Sequence, residues 1–148
     1  MDIKILKITK NQPERMEIRC HEVTEEIREI VTFVKSRQGQ LTGVLEGKKY
    51  EISVLDIYYI EAVDNRVFLY CSRQVYETKQ KLYELEEFLK EKYFLRVSKS
   101  LLLNLMKVKA VKPALNGRFI AILQGGEEIM ISRKYVPELK KALKGGAC

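Results

Sequence analysis

The spacing of apolar positions changes near residue 40. Ahead of it, Ile3, Ile5 and Ile8 with intervening lysines predict a short strand, and Met16–Cys20 alternates apolar with polar and predicts a second. Asn11-Gln12-Pro13 fits a turn between them. Thr24 is suited to cap a helix, with Glu25 and Glu26 in its first turn. Ile27, Ile30, Val31 and Val34 lie at i, i+3, i+4 and i+7, one face of that helix, and Gln38-Gly39-Gln40 ends it. Residues 1–40 therefore read as a small α+β extension. Its apolar stripe either packs on the rest of the chain or makes a dimer contact.

From residue 41 the period is two. Leu41–Glu46 and Lys48–Ser53 flank Gly47, and Tyr58–Val63 and Val67–Cys71 flank Asp64-Asn65-Arg66, so two hairpins are expected, followed by a strand over Gln74–Thr78. Lys81–Tyr93 returns to helical spacing, with Leu82, Leu85, Phe88 and Leu89 facing inward and Glu86 and Lys90 paired outside. Phe94–Val97 is extended, and Leu101–Leu103 are expected to bury beneath the segment that follows it. Lys107–Lys112 and Phe119–Leu123 flank Asn116-Gly117, a hairpin signal. Gly125-Gly126 turns the chain into Glu128–Ile131, Arg133–Leu143 reads as a short helix, and Gly145–Cys148 as a frayed tail. Residues 41–148 thus predict a mainly β body of antiparallel strands with two helices. There is no strand–helix alternation of the kind a doubly wound nucleotide-binding sheet requires.

A chain of 148 residues with 46% hydrophobic content can bury a core without a disulfide or metal staple. Cys20, Cys71 and Cys148 are odd in number and far apart, no signal-peptide apolar region precedes them, and no apolar run is long enough to span a bilayer. A cytoplasmic protein is the expectation. Enzyme chemistry finds little footing. His21 is the single histidine, and His21-Glu-Val-Thr-Glu25 lacks the second histidine of a zinc-protease helix. No nucleophile elbow, phosphate-binding glycine loop or Cys-x-x-Cys pair occurs. Asp56, Glu61 and Asp64 sit at a strand start or in a turn, where acids are common. No cofactor is expected.

Charge points elsewhere. Lys92, Arg96, Lys99, Lys107, Lys109, Lys112 and Arg118 are the only charged residues from Lys92 to Gly126, whereas residues 51–91 hold nine acids and five bases. The net charge of +7 is matched by this one stretch, the footprint of a polyanion-binding face. Within it, Ser98-Lys99-Ser100 offers two hydroxyls and an ammonium in three residues, a set suited to phosphate and base-edge contact, and Asn104 is placed to close the following turn. Duplex DNA, RNA or an acidic protein could each meet such a face. RNA would want exposed aromatics for stacking, and Tyr70, Tyr76 and Phe119 read more simply as core.

Six ordered pieces narrow this. Tyr58-Tyr-Ile-Glu-Ala62, Tyr76-Glu-Thr78, Leu82-Tyr-Glu-Leu85, Phe94-Leu-Arg-Val-Ser-Lys-Ser100 with Leu103-Asn104, Asn116-Gly117 and Ile131-Ser-Arg-Lys-Tyr135 resemble, in order and spacing, the LytTR DNA-binding domain. The resemblance covers about residues 43–143. It implies an elongated, mainly β domain that inserts loops into successive major grooves of double-stranded DNA, and bacterial transcription regulation at paired direct repeats. Carried over position by position, it implies base reading by Asn65, Lys99 and Arg133. Arg66, Arg96, Ser98, Ser100, Asn104, Ser132, Lys134 and Tyr135 are implied backbone contacts, with Lys107, Lys109 and Arg118 giving general attraction. Many members carry histidine where this chain has Ser98, and arginine or asparagine where it has Lys99, a departure that bears on base preference. The roughly 40 residues ahead of the domain are too few for a phosphate-receiver domain. The chain resembles the stand-alone subgroup, for which a homodimer on DNA and a separately encoded membrane regulator are the implied partners.

Overall fold

A computed structural model of the chain describes residues 1–37, 39–90 and 92–145. The first helix, α1, spans Glu25–Arg37, and Thr24 caps it by accepting from the Ile27 amide at 3.3 Å. Ten strands follow: β1 (Gln40–Leu45), β2 (Lys48–Ser53), β3 (Ile57–Val63), β4 (Arg66–Cys71), β5 (Val75–Thr78), β6 (Phe94–Ser98), β7 (Leu101–Asn104), β8 (Val108–Pro113), β9 (Phe119–Leu123) and β10 (Glu128–Ile131). Helix α2 (Leu82–Phe88) interrupts them and α3 (Val136–Gly145) closes the fold. The fold is mainly antiparallel β with short helices, as the periodicity predicts.

Strands β1 to β7 form one sheet in the order β2-β1-β5-β4-β3-β7-β6, and β8 to β10 form a second in the order β10-β9-β8, with every pairing antiparallel. The larger sheet is apolar on both faces. Ile57, Ile60, Leu69 and Leu102 pack with Leu82, Leu85 and Leu89 of the α2 region. Val97, Leu101 and Leu103 pack instead with Ala121, Leu123, Ile131 and Leu139 of the second sheet and α3. Alternation along β7 sends Leu102 one way and Leu101 and Leu103 the other. This strand is therefore the seam between two cores.

The main departures from expectation have local causes. Leu101–Asn104 is a strand, although an unbroken apolar run gives no period-two signal; all four residues are buried, the pattern of a strand covered on both faces. Helix α2 stops at Phe88, short of the predicted Tyr93, and Phe88 is 45% exposed rather than inward. Tyr93 takes a positive φ of 65°, which a continuing helix does not allow. The last predicted helix begins as a 3-10 turn over Arg133–Tyr135. Asn116-Gly117 sits inside a five-residue connection rather than a two-residue turn. The largest correction lies at the front. Residues 3–8 and 16–20 belong to neither sheet, and Ile3 and Ile5 stand 91% and 88% exposed. Val31 of the α1 stripe is also open to solvent while Ile27 is buried. Of the expected tail Gly145–Cys148, Gly145 ends α3, and the remaining residues, like the helix-ending Gln38, lie outside the described residues.

Candidate nucleic-acid interface

Two backbone hydrogen bonds bring distant segments to one end of the large sheet. The Ala62 amide donates to the Ser100 carbonyl at 2.8 Å, which sets the β6–β7 turn beside the β3–β4 turn. The Ser132 amide donates to the Val97 carbonyl at 2.9 Å, which ties the β10–α3 connection to the end of β6. Asn65, Lys99 and Arg133 thereby share one end of the fold, although 68 residues separate the first from the last.

Each apex has its own local cause. Val63 pairs with Arg66, so Asp64-Asn65 is a two-residue turn with φ of 52° and 63°, the doubly left-handed geometry of a tight hairpin that Asn and Asp tolerate well. Its mirror at the other end of the sheet is Glu46-Gly47, between β1 and β2. The Ser98–Ser100 turn is folded on itself, with the Ser100 amide donating to Ser98 Oγ at 3.2 Å and the two hydroxyls 3.4 Å apart. Lys99 stands exposed at its tip. Arg133 is exposed in the 3-10 turn, and its Cδ lies only 3.0 Å from where a Cβ on Gly117 would stand. Among the described residues no hydrogen bond or ion pair engages the side chains of Asn65, Lys99 or Arg133.

The surrounding bases divide into two kinds. Arg66 grips Glu77 through two contacts, Nε to Oε2 at 3.1 Å and an Nη2 to Oε1 at 2.7 Å. That hydrogen bond holds the Glu77 carboxyl below its ordinary range and raises the Arg66 guanidinium above its own. Arg96 turns inward: Nε donates to the Ser98 carbonyl at 2.8 Å, one terminal nitrogen to the Lys99 carbonyl, and the other to Glu86 Oε1 of α2 at 2.7 Å. Lys112 faces Glu128 at 3.8 Å. Acids from other segments thus offset part of a stretch that is acid-free in sequence.

An open groove of about 440 Å³ lies along this end, lined by Asn65, Arg66, Lys99 and Ser100 together with Lys79 and Lys81. The last two escape sequence reasoning because they sit in a mixed-charge stretch; only the pairing of β4 with β5 carries them to the basic end.

Three expected contacts are elsewhere. Asn104 is buried, donates its side-chain amide to the Ile57 carbonyl at 2.8 Å and accepts from the Met106 amide at 2.9 Å. It closes the turn after β7, and its burial keeps it from a phosphate. Lys107 lies 5.1 Å above the Tyr58 ring, at the end of β3 away from Asn65, and Lys109 follows it at the same end of β8. Arg118 and the Arg133–Tyr135 turn remain near the groove end: Arg118 Nε donates to the Leu115 carbonyl at 3.2 Å, and Lys134 Nζ sits 5.6 Å from the Tyr135 ring.

The family model described as the LytTr DNA-binding domain matches residues 47–144. The chain belongs to that family. Sensory transduction protein LytT of Bacillus cereus is 28% identical over 142 residues, 96% of this chain and 55% of that protein. Its namesake in Bacillus anthracis is 30% identical over 111 residues, 75% of this chain and 45% of that protein. The chain thus spans about half the length of these curated relatives. An uncharacterised HTH-type transcriptional regulator of Staphylococcus aureus is 26% identical over 141 residues, and that match runs over 93% of this chain and 95% of the relative. In fold, the LytTr DNA-binding domain of a methyl-accepting/DNA response regulator from Bacillus cereus superposes with a TM-score of 0.68 at 23% identity, covering 71% of this chain and 96% of that one. The LytTr domain is a DNA-binding module, and no described helix of this chain is long and apolar enough to cross a membrane.

Proposed function

We propose that this LytTr chain is a sequence-specific transcriptional regulator that presents three turns, rather than a helix, to the major groove of duplex DNA. Asn65 pairs with adenine, Arg133 with guanine, and Lys99 with a guanine edge. Ser98, Ser100, Ser132, Lys134, Tyr135 and Arg118 meet phosphates, and Lys79 and Lys81 join them. The observation that carries this reading is the convergence of three exposed side chains with no internal polar partner among the described residues at one basic end of the sheet. Side chains already engaged would have to break bonds before reading a base; these do not. The aromatics that RNA stacking would use are occupied instead: Tyr70 stacks on Tyr59 at 4.3 Å, and Tyr76 packs on Tyr50 at 5.5 Å. The chain acts as a homodimer on paired direct repeats, and a separately encoded membrane protein controls it.

The test is a salt titration of binding to duplex DNA taken from upstream of the protein's own gene, against scrambled duplex. The expected result is tighter binding upstream, with log K falling by about 0.9 per neutralised phosphate for each decade of salt. Arg133→Ala then costs roughly 1–3 kcal/mol on the preferred site and little on scrambled DNA. Equal losses on both would remove the base-reading role of Arg133.

A further inference from the structure

The groove at the DNA-facing end is lined by the cations Arg66, Lys79, Lys81, Arg96 and Lys99 and, among the described residues, by a single acid, Glu77. A carboxylate lowers affinity where a polyanion is to lie. The register shows what this one holds. Glu77 of β5 stands opposite Phe68 of β4, and Arg66 lies two residues along the same face, directly after the Asp64-Asn65 turn. Glu77 Oε2 accepts from Arg66 Nε at 3.1 Å and Oε1 from Nη2 at 2.7 Å, and the guanidinium carbon sits 5.2 Å from the Phe68 ring centre. The two charged side chains are 61% and 39% exposed, and an ion pair this open adds little to stability.

What the pair fixes is orientation. A guanidinium carries five N–H groups in one plane. Glu77 takes the Nε–Nη2 edge and leaves the Nη1–Nη2 edge, a fork matched to O6 and N7 of guanine. Arg66 therefore breaks no bond in reaching a base. Arg96, in the same groove, differs: each of its three nitrogens already donates, to the Ser98 and Lys99 carbonyls and to Glu86. The lysines have no fork to offer.

We propose that Arg66 reads a guanine next to the base met by Asn65, and that Glu77 is the positioning residue that aims it. The family resemblance implies a backbone contact for Arg66. A phosphate contact has no use for a fixed plane and is weakened by a neighbouring carboxylate, whereas a bidentate base contact gains from a plane set beforehand. This rests on the reading of the protein as a sequence-specific regulator.

The test measures binding to a preferred duplex, selected from random sequence, and to scrambled duplex, each over a range of salt. Arg66→Lys keeps the charge and removes the fork. It is expected to lose roughly 5- to 150-fold on the preferred duplex, the discrimination of one bidentate arginine–guanine pair, and to keep its affinity and salt slope on scrambled DNA. Glu77→Ala is expected to weaken the preferred complex and strengthen the scrambled one, since the aim is lost and a negative charge removed. In the Arg66→Lys background it should bring no further loss on the preferred duplex. When base pairs of that duplex are changed one at a time, Arg66→Lys should cease to distinguish one guanine that the wild-type chain does, other than the one lost with Arg133→Ala. Full affinity of Arg66→Lys for the preferred duplex, or an equal rise on both duplexes for Glu77→Ala, would overturn this role while leaving the regulator reading in place. Equal affinity of the wild-type chain for every duplex would overturn both together.

Discussion

Arg96 and Glu86 join the β6–β7 turn to helix α2, with guanidinium and carboxylate 2.7 Å apart. The Arg96 side chain is only 20% exposed, and its other two nitrogens donate to the Ser98 and Lys99 carbonyls. It therefore holds the turn that carries Lys99 instead of reaching for a phosphate. Lysine cannot make three divergent planar contacts. Arg96→Lys is expected to cost on the order of 1–3 kcal/mol of stability and to weaken binding without changing its salt slope. Lys99→Ala should leave stability alone and lower the slope by about 0.9 if it also neutralises a phosphate. Thermal melts and salt titrations of both variants check this; a lower slope for Arg96→Lys would make Arg96 a phosphate contact after all.

Gly117 and Arg133 are coupled by space. Gly117 has φ of +74°, and a Cβ there would stand 3.0 Å from Arg133 Cδ. Gly117→Ala is thus expected to lose about 1 kcal/mol of stability from the left-handed backbone. It should also shift Arg133 and weaken binding to the preferred duplex. A double-mutant cycle separates the two effects. In an Arg133→Ala background the stability loss should remain while the added binding loss disappears. Persistence of the full binding loss would mean that Gly117 acts on DNA by another route.

Strands set between turn signals are legible in the sequence: Phe119–Leu123 and Glu128–Ile131, on either side of Gly125-Gly126, fall at their predicted limits. So are Asn65, Lys99 and Arg133 as chain positions. What a linear pattern does not display is adjacency. Whether Arg96 points out to phosphate or in to Glu86 depends on where α2 packs, and Asn104 looks like any turn asparagine until the Ile57 carbonyl is set against it. Lys107 belongs to the basic block in sequence and to the opposite end of the sheet in space. The extension fails for a different reason: its alternation is a strand signal, but a strand needs a neighbour, and these residues pair with neither sheet.

The seam between the two cores makes β7 the most sensitive strand. Leu103 is fully buried, and its neighbours come from the second sheet and α3. Leu103→Ala should cost roughly 2–5 kcal/mol through lost transfer energy and a residual cavity. Met130, 44% exposed on the edge strand β10, should tolerate alanine within about 0.5 kcal/mol. Chemical denaturation with fixed m-values reads both, and comparable losses would show that the second sheet is not docked on β7.

Alkaline pH should uncouple the core edge near Cys71. Burial pushes this thiol from its ordinary 9.0 up to about 11, with Asp56 adding and Lys107 opposing. Between those values the unfolded chain has lost the proton and the folded chain keeps it. The unfolded state then binds fewer protons, and stability falls as pH rises. The contribution is fully present below pH 9 and gone above the folded value. Tyr59 acts with the same sign at higher pH: burial first, then Tyr70, raises its phenol from 10.0 to about 12. Both groups are partly open to solvent, which screens the effect. Melting temperature is therefore expected to decline above pH 9, and Cys71→Ala to delay the onset towards pH 10. Alkylation of Cys71 in the folded chain should rise only as pH approaches 11, read by peptide mapping. Ready modification at neutral pH would contradict the partly buried, protonated thiol.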